Sequence, residues 1–438
     1  MAPNPTESLD SILQQITTSN NAAALNHTLR NALPKESRDT ILASVLGSGQ
    51  DPLCVLDVRQ NTLGVLYILA ARVTTPNATP PPWSLILQFC QCFIPSHARL
   101  APDRVTALAR GIVTFANSMG SPKSAIPPLS NLVQRFPPDA SYLTPLHPIL
   151  ALACTSTSTP DALLPHLATP ITTIDLSLTP ELTYTDNLVF HYLAGIALAS
   201  LGRYGEAEEM FDIVVGAPGI VPSALQVEAA KKLWLVGLIG RGVVPAFPKY
   251  TNSFIPRLLK TTPYSAFVAA YPHKRELLSD IIQREATLFA TEKNTGLLQR
   301  ALARAPRWAL KKLTATYVTL GLADIGRAVG IESEDAVRSL VLSMIETDDI
   351  AAQISADGTV TFMDVAPKFT QAQVEEVLAQ VQDQTAALRD LEREVGRSKE
   401  FLSKAVKSRE EAHWLGPSDE DAFSLNAAGV WAEDAIFS

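Results

Sequence analysis

The hydrophobic period changes once in the stretch from Lys311 to Asp364, and that change restricts the fold more than any other feature of the chain. Leu310, Leu313, Tyr317 and Leu320 recur at three- and four-residue steps, which predicts one face of a first helix. Leu322, Ile325 and Val329 predict a short second helix closed by Gly330. Ser333 stands where its hydroxyl can cap a third helix, with Glu334 and Asp335 in the first turn, where the helix dipole favours acids. Val337, Leu340, Val341, Met344 and Ile345 give that helix a broad apolar stripe. The pattern then alternates. Ile350, Ala352 and Ile354 point one way, and Val360 and Phe362 follow across Asp357-Gly358. An Asp-Gly pair between alternating runs marks a hairpin, because Gly tolerates positive φ. Three helices followed by a hairpin is the order of a winged helix.

Winged helices often dock on DNA through the third helix, so the charge of that helix matters. Between Glu332 and Asp349 the acids are Glu332, Glu334, Asp335, Glu346, Asp348 and Asp349, and the base is Arg338. No Lys or Arg occurs from Ile350 to Asp364. Phosphate neutralisation needs several cations on the docking face, so this face disfavours nucleic acid and favours protein assembly. The whole chain has a formal charge of −8, which argues against both nucleic acid and an anionic membrane as partners. No apolar run is long enough to span a bilayer. Met1 to Asp10 lacks a basic segment followed by an apolar core, so no secretory signal is expected.

With 438 residues, of which 47% are hydrophobic and 18% charged, the chain can bury a large core and build more than one structural unit. Residues 1–182 read as an N-terminal helical-repeat region. Leu9, Ile12, Leu13 and Ile16 form one stripe, and the apolar run around Leu63 to Leu69 forms another. Trp83–Phe93 and Pro102–Met119 are further helices, and residues 120–182 are helical fragments cut by prolines. Residues 183–306 are clearer. Asn187–Leu201, a turn at Gly202-Arg-Tyr-Gly205, and Glu206–Val215 have the spacings of a tetratricopeptide hairpin. Small Gly195 and Ala207 let two antiparallel helices approach, and Phe211 fills the groove beyond. Ser223–Ile239, Lys274–Thr291 and Leu297–Ala305 continue a right-handed stack, whose last pair needs a cover. The winged helix at 307–366 is placed to be that cover.

Residues 370–408 predict one long helix. Val374, Val381, Leu388, Val395 and Leu402 fall seven apart, with Val377 and Leu391 in the row three positions later. A sustained seven-residue seam is a coiled-coil or bundle signature. Gln384 and Ser398 weaken the second row. Residues 410–438 form a tail without Lys or Arg, in which acids alternate with Trp414, Phe423, Trp431 and Phe437; it reads as a disordered end, or as a segment that orders on docking to a partner.

No catalytic constellation stands out. There is no phosphate-cradling glycine loop and no Gly-x-Ser-x-Gly elbow. His27, His97, His147, His166, His191, His273 and His413 are scattered without metal-ligand spacing, and Cys54, Cys90, Cys92 and Cys154 read as buried free thiols. His191 reads as a packing or surface residue. Lys231-Lys232 and Lys311-Lys312 are local basic spots that read as solvated faces or salt-bridge donors. No catalytic residue, cofactor or metal site is assigned.

A helical-repeat stack capped by a winged helix resembles the PCI module shared by the proteasome lid, the COP-nine signalosome and translation initiation factor three. Leu56-Asp-Val-Arg-Gln-Asn-Thr-Leu-Gly-Val65, Glu228-Ala-Ala-Lys-Lys232, Pro248-Lys-Tyr-Thr251, Leu313-Thr-Ala-Thr-Tyr317 and the wing from Ile354 to Phe362 resemble the signalosome branch of that family. The resemblance implies a non-catalytic scaffold in a complex that removes the modifier Nedd8 from cullins and so regulates cullin–RING ligases. It implies signalosome subunits 1 and 8 as neighbours, with the other subunits reached through a helical bundle, and a place in cytoplasm and nucleus. It also implies two assembly surfaces. One is a winged-helix edge around Ile350, Ile354, Val360, Thr361 and Phe362. The other is the C-terminal seam of Val374, Val377, Val381, Leu388, Leu391, Val395 and Leu402. A lid or initiation-factor subunit, or a nucleic-acid adaptor, are the alternatives.

Overall fold

A computed structural model describes residues 9–363, apart from residues 20, 32, 33, 35, 36, 48 and 77, and residues 369–414. The first eight residues and the tail segment 415–438, on which the docking expectation falls, lie outside the described residues. The chain divides into two units, Met1–Met363 and Asp364–Ser438.

The first unit is a stack of helices ending in a small sheet. Its prolines begin helices more than they break them. Pro52, Pro95, Pro102, Pro122, Pro160 and Pro263 all sit in first turns, where the missing amide hydrogen has no intrahelical acceptor to lose. The Thr62–Thr74 helix is apolar on every side and buries Leu63, Val65, Leu66, Tyr67, Ile68 and Leu69. The proline-cut region folds into Ile126–Arg135 and Leu146–Ser156 with short 3-10 turns, and a bridge between Tyr142 and Thr173 ties it together.

The tetratricopeptide-like hairpin forms as expected, from Tyr184–Ser200 and Tyr204–Gly216. Thr183 and Asp186 close a reciprocal cap at its start. Phe211 is fully buried against Gly195, and an added methyl at Gly195 would stand 2.7 Å from that ring. Ala224–Arg241 follows, buried along most of its length, after a second cap between Ser223 and Gln226. The expected Lys274–Thr291 helix is two pieces, Arg275–Arg284 and Ala286–Thr291, parted at Glu285. The hydrophobic cores overlap along the stack. The first runs from Leu9 to Ala197, the second begins at Leu188, and the third begins at Leu235. The shared helices Tyr184–Ser200 and Ala224–Arg241 relay one core to the next, as in a quasi-one-dimensional repeat protein.

Thr295–Thr314 is one helix that runs through Pro306, where separate segments at Leu297–Ala305 and from Leu310 were expected. It carries the chain from stack to wing. Arg304 and the Trp308 indole donate to the Ile239 carbonyl on the stack side, while Arg307 reaches Thr347 at 2.6 Å and Asp349 at 2.7 Å on the wing side.

The wing has a core of Leu310, Leu322, Ile325, Val329, Val337, Val341, Met344, Ile350, Val360 and Phe362 among others, close to the sequence expectation. Two expectations fail there. The first helix stops at Thr314, so Tyr317 is not on its face and is 47% exposed. Leu320 instead lies in strand β1, Thr319–Gly321, which joins β2, Ala351–Ile354, and β3, Thr359–Met363, in the order β1-β3-β2. The cause is local: Thr314, Thr316, Val318 and Thr319 are β-branched and suit a pleated surface better than a helix. The Asp357-Gly358 turn forms, with Gly358 at φ +82°.

The described residues of the second unit form two helices, Gln371–Arg397 and Lys399–Trp414. The single long helix expected over 370–408 is therefore interrupted. Ser398 takes an extended backbone, at ψ 140°, and its hydroxyl accepts from the Phe401 amide, so it ends one helix and caps the next.

Candidate functional site

Assembly through the wing needs a free sheet edge, and the register shows where it is. Thr361 faces Thr319 on one side and Gln353 on the other, so β3 is the middle strand. The exposed strand expected around Val360–Phe362 is thus interior. Val360 and Phe362 belong to the core, and Ile350 is buried just before β2. The sheet's edges are β1, three residues long, and β2, which carries the expected Ile354. Ser355 donates to the Thr359 carbonyl, and antiparallel pairing alternates, so Gln353 and Ala351 bond inward. Ala352 and Ile354 therefore turn their backbone amides and carbonyls outward, and among the described residues nothing pairs with them. Of the five expected edge residues, Ile354 alone lies on an edge strand; the third strand that moved the others inward was hidden in the Thr-Tyr-Val-Thr run.

The seam residues are together on the second unit and all are exposed. Leu388, Leu391 and Val395 show 58%, 57% and 53% of their surfaces, and Val374, Val377, Val381 and Leu402 are similar. No described side chain of Gln371–Arg397 is buried. An amphipathic helix normally gains its stability by burying its apolar face. This one, within its own unit, buries none of it.

A third feature was not legible as a site. Lys231 and Lys232, expected on solvated faces or in salt bridges, are both buried. Lys231 contacts Glu228 at 2.5 Å and Glu292 at 2.7 Å. Burial pulls its amine down, but these two carboxylates outweigh that and hold it above the ordinary lysine value. Lys232 donates to Asn294 at 2.7 Å; burial, opposed only in part by Glu228 and Glu292, lowers it to about 8. Asn294 donates to the Tyr264 hydroxyl at 2.7 Å, which donates to Glu292 at 2.6 Å, and burial pushes that phenol up. Two members of the network, Lys232 and Glu292, line a cleft of about 710 Å³ in the stack.

The histidines, scattered in sequence, are partly gathered in space. His147 is buried edge-on to Phe190, whose other neighbour is His191, and feels the fields of His166 and His191. Its Nδ1 accepts from the Thr144 amide at 3.1 Å. His191 is a packing residue, with Nδ1 at 2.9 Å from the Asn187 carbonyl. Among the described residues no group of His, Cys, Asp and Glu is placed to hold a metal ion. Of the four free cysteines, Cys90 and Cys154 are buried, Cys92 is half-buried, and Cys54 is exposed, contrary to expectation. Among the described residues no helix is long and apolar enough to cross a membrane.

Residues 24–255 match the family model described as COP9 signalosome complex subunit 3, N-terminal helical repeats. Over 343 residues the chain is 30% identical to COP9 signalosome complex subunit 3 of Dictyostelium discoideum, covering 75% of this chain and 78% of that protein. Over 382 residues it is 25% identical to COP9 signalosome complex subunit 3 of Drosophila melanogaster, covering 81% of this chain and 86% of that protein.

Proposed function

The chain belongs to the COP9 signalosome complex subunit 3 family, and from that premise we propose that it is a non-catalytic scaffold of the signalosome, the complex that removes Nedd8 from cullins. The observation that carries the scaffold reading is the unburied seam of Val374, Val377, Val381, Leu388, Leu391, Val395 and Leu402. Apolar area in water on this scale, repeated at helical spacing, marks a surface that other helices cover. The seam joins a bundle with sister subunits. The outward-facing backbone of Ala352 and Ile354 adds a neighbour's strand to the wing. The expected neighbours are subunits 1 and 8, and cullin–RING ligases are met through the complex. The acids Glu332, Glu334 and Asp335 lie exposed at the start of the wing's third helix, a charge that fits protein assembly and not a phosphate backbone.

Tagging the chain in cells and identifying co-purifying proteins by mass spectrometry tests this reading. The expected result is a stoichiometric set of signalosome subunits with deneddylase activity, in both cytoplasmic and nuclear fractions. Recovery as a lone monomer, or turnover of a Nedd8–cullin conjugate by the purified chain alone, would refute it.

A further inference from the structure

The cleft that Lys232 and Glu292 help to line plays no part in assembly through the seam or the wing edge, yet it has the makings of a ligand site. Its volume of about 710 Å³ is in the range of small-molecule pockets. Leu193, Ile196, Phe211 and Leu297 give it hydrocarbon walls, and Leu152 stands exposed among its lining residues. Lys232, only 4% exposed, is also among the lining residues. An ammonium has three hydrogens to donate. Asn294 takes one at 2.7 Å, the Glu292 carbonyl is a long contact at 3.5 Å and the Tyr192 ring face stands 5.5 Å away, so with one strong acceptor in place Lys232 retains capacity for another.

The charge of the cleft favours an anion. The one carboxylate in the lining, Glu292, is already engaged at both oxygens, by Lys231 on Oε1 and by the Tyr264 hydroxyl on Oε2. Lys293 and Arg300 add two exposed cations to the same lining. A buried cation with an incomplete set of acceptors is costly, and an anionic head group would lower that cost. This positive recess occurs in a chain whose net charge is −8.

We infer that the cleft binds a small anionic amphiphile, with its carboxylate on Lys232 and the Lys293–Arg300 side and its apolar body along Leu193, Ile196 and Leu297. A single buried ammonium suits one carboxylate, and the hydrocarbon lining suits a tail without further polar groups. The occupant is therefore an acid with one charged end.

Titration calorimetry on the full chain tests this with decanoate, decanol and decyltrimethylammonium, each below its aggregation threshold. Decanoate binds saturably with one site, and the other two bind at least about tenfold more weakly, as loss of a charge-assisted hydrogen bond requires. Lys232→Met weakens decanoate by about ten- to a hundredfold and leaves decanol unchanged. Leu152→Glu, at an exposed position where folding is not at stake, also weakens decanoate, so the test stands even if Lys232→Met does not fold. No saturable binding of decanoate, equal affinity for the three head groups, or wild-type affinity in Leu152→Glu overturns the inference.

Discussion

Charging the seam is the perturbation that separates an assembly surface from a helix packed on its own chain. In Leu388→Asp with Val395→Asp, two side chains that are 58% and 53% exposed become carboxylates. If partners cover them, about half of each side chain's surface is at stake, and at full burial worth about 1.5–3 kcal/mol per residue the two together contribute about 2 kcal/mol. Placing two carboxylates in a dry seam without partners costs at least about 2 kcal/mol more. The sum of about 4 kcal/mol corresponds to roughly a thousandfold loss of affinity. Since neither residue is buried in its own unit, the isolated chain keeps its melting temperature and nearly all of its helical circular dichroism. Co-expression with the signalosome subunits followed by size exclusion reads the first outcome, and thermal melts of the isolated chain read the second. Normal incorporation of the double variant, or a melting temperature several degrees lower for the isolated chain, refutes the reasoning.

Ile354→Pro removes an amide that points away from the β2–β3 ladder, so the wing still folds while strand addition by a neighbour is lost; a subunit pull-down with the wing variant checks this, and undiminished capture counts against the edge. His147 is held down from the ordinary 6.5 to about 4 by burial, with His166 and His191 adding to the effect. Its stabilising contribution is therefore complete above pH 6.5 and is lost as pH falls toward 4, about 3 kcal/mol in all. Urea midpoints between pH 7.5 and 4.5 should fall less steeply in His147→Gln, and parallel curves would contradict the assignment. Gly195→Ala sets a methyl 2.7 Å from the Phe211 ring and should destabilise the chain by about 1–3 kcal/mol. Adding Phe211→Leu should restore part of that in a double-mutant cycle by chemical denaturation, and strict additivity would show that the two do not touch.

What the sequence revealed and concealed follows from the range of the interactions involved. The wing's core was legible because helical and alternating periods are properties of neighbouring residues, and Leu322, Val337, Val341, Val360 and Phe362 are buried as their spacing implied. Strand β1 was concealed because Leu313, Tyr317 and Leu320 keep a helical spacing by coincidence, over a run whose β-branched residues prefer a strand. The break at Ser398 was concealed for a related reason. A heptad count registers which residues are apolar and ignores that a serine can cap, so the seam continues on paper across a chain that bends. The cleft was beyond reach altogether. Its lining comes from Leu152, Tyr192, Phe211, Lys232 and Leu297, positions far apart in sequence, and no local rule brings them together. Lys231-Lys232 illustrates the limit well: adjacent lysines look like a solvated face, but the Ala224–Arg241 helix is enclosed on most sides and both amines are captured by groups more than fifty residues away.

The two assembly surfaces differ in what they can contribute. The β2 edge offers the outward backbone groups of two residues, enough to fix register and orientation but too little area to hold a complex. The seam offers repeated apolar side chains along 27 residues of helix and has no packing within its own unit to sustain it. Most helical stability in proteins comes from burial of the apolar face, and here that gain is still to be made. Bundling with partner helices buries that face and supplies most of the free energy of assembly. The preformed wing, with its core complete, contributes little to that sum and instead restricts which neighbour can stand beside it.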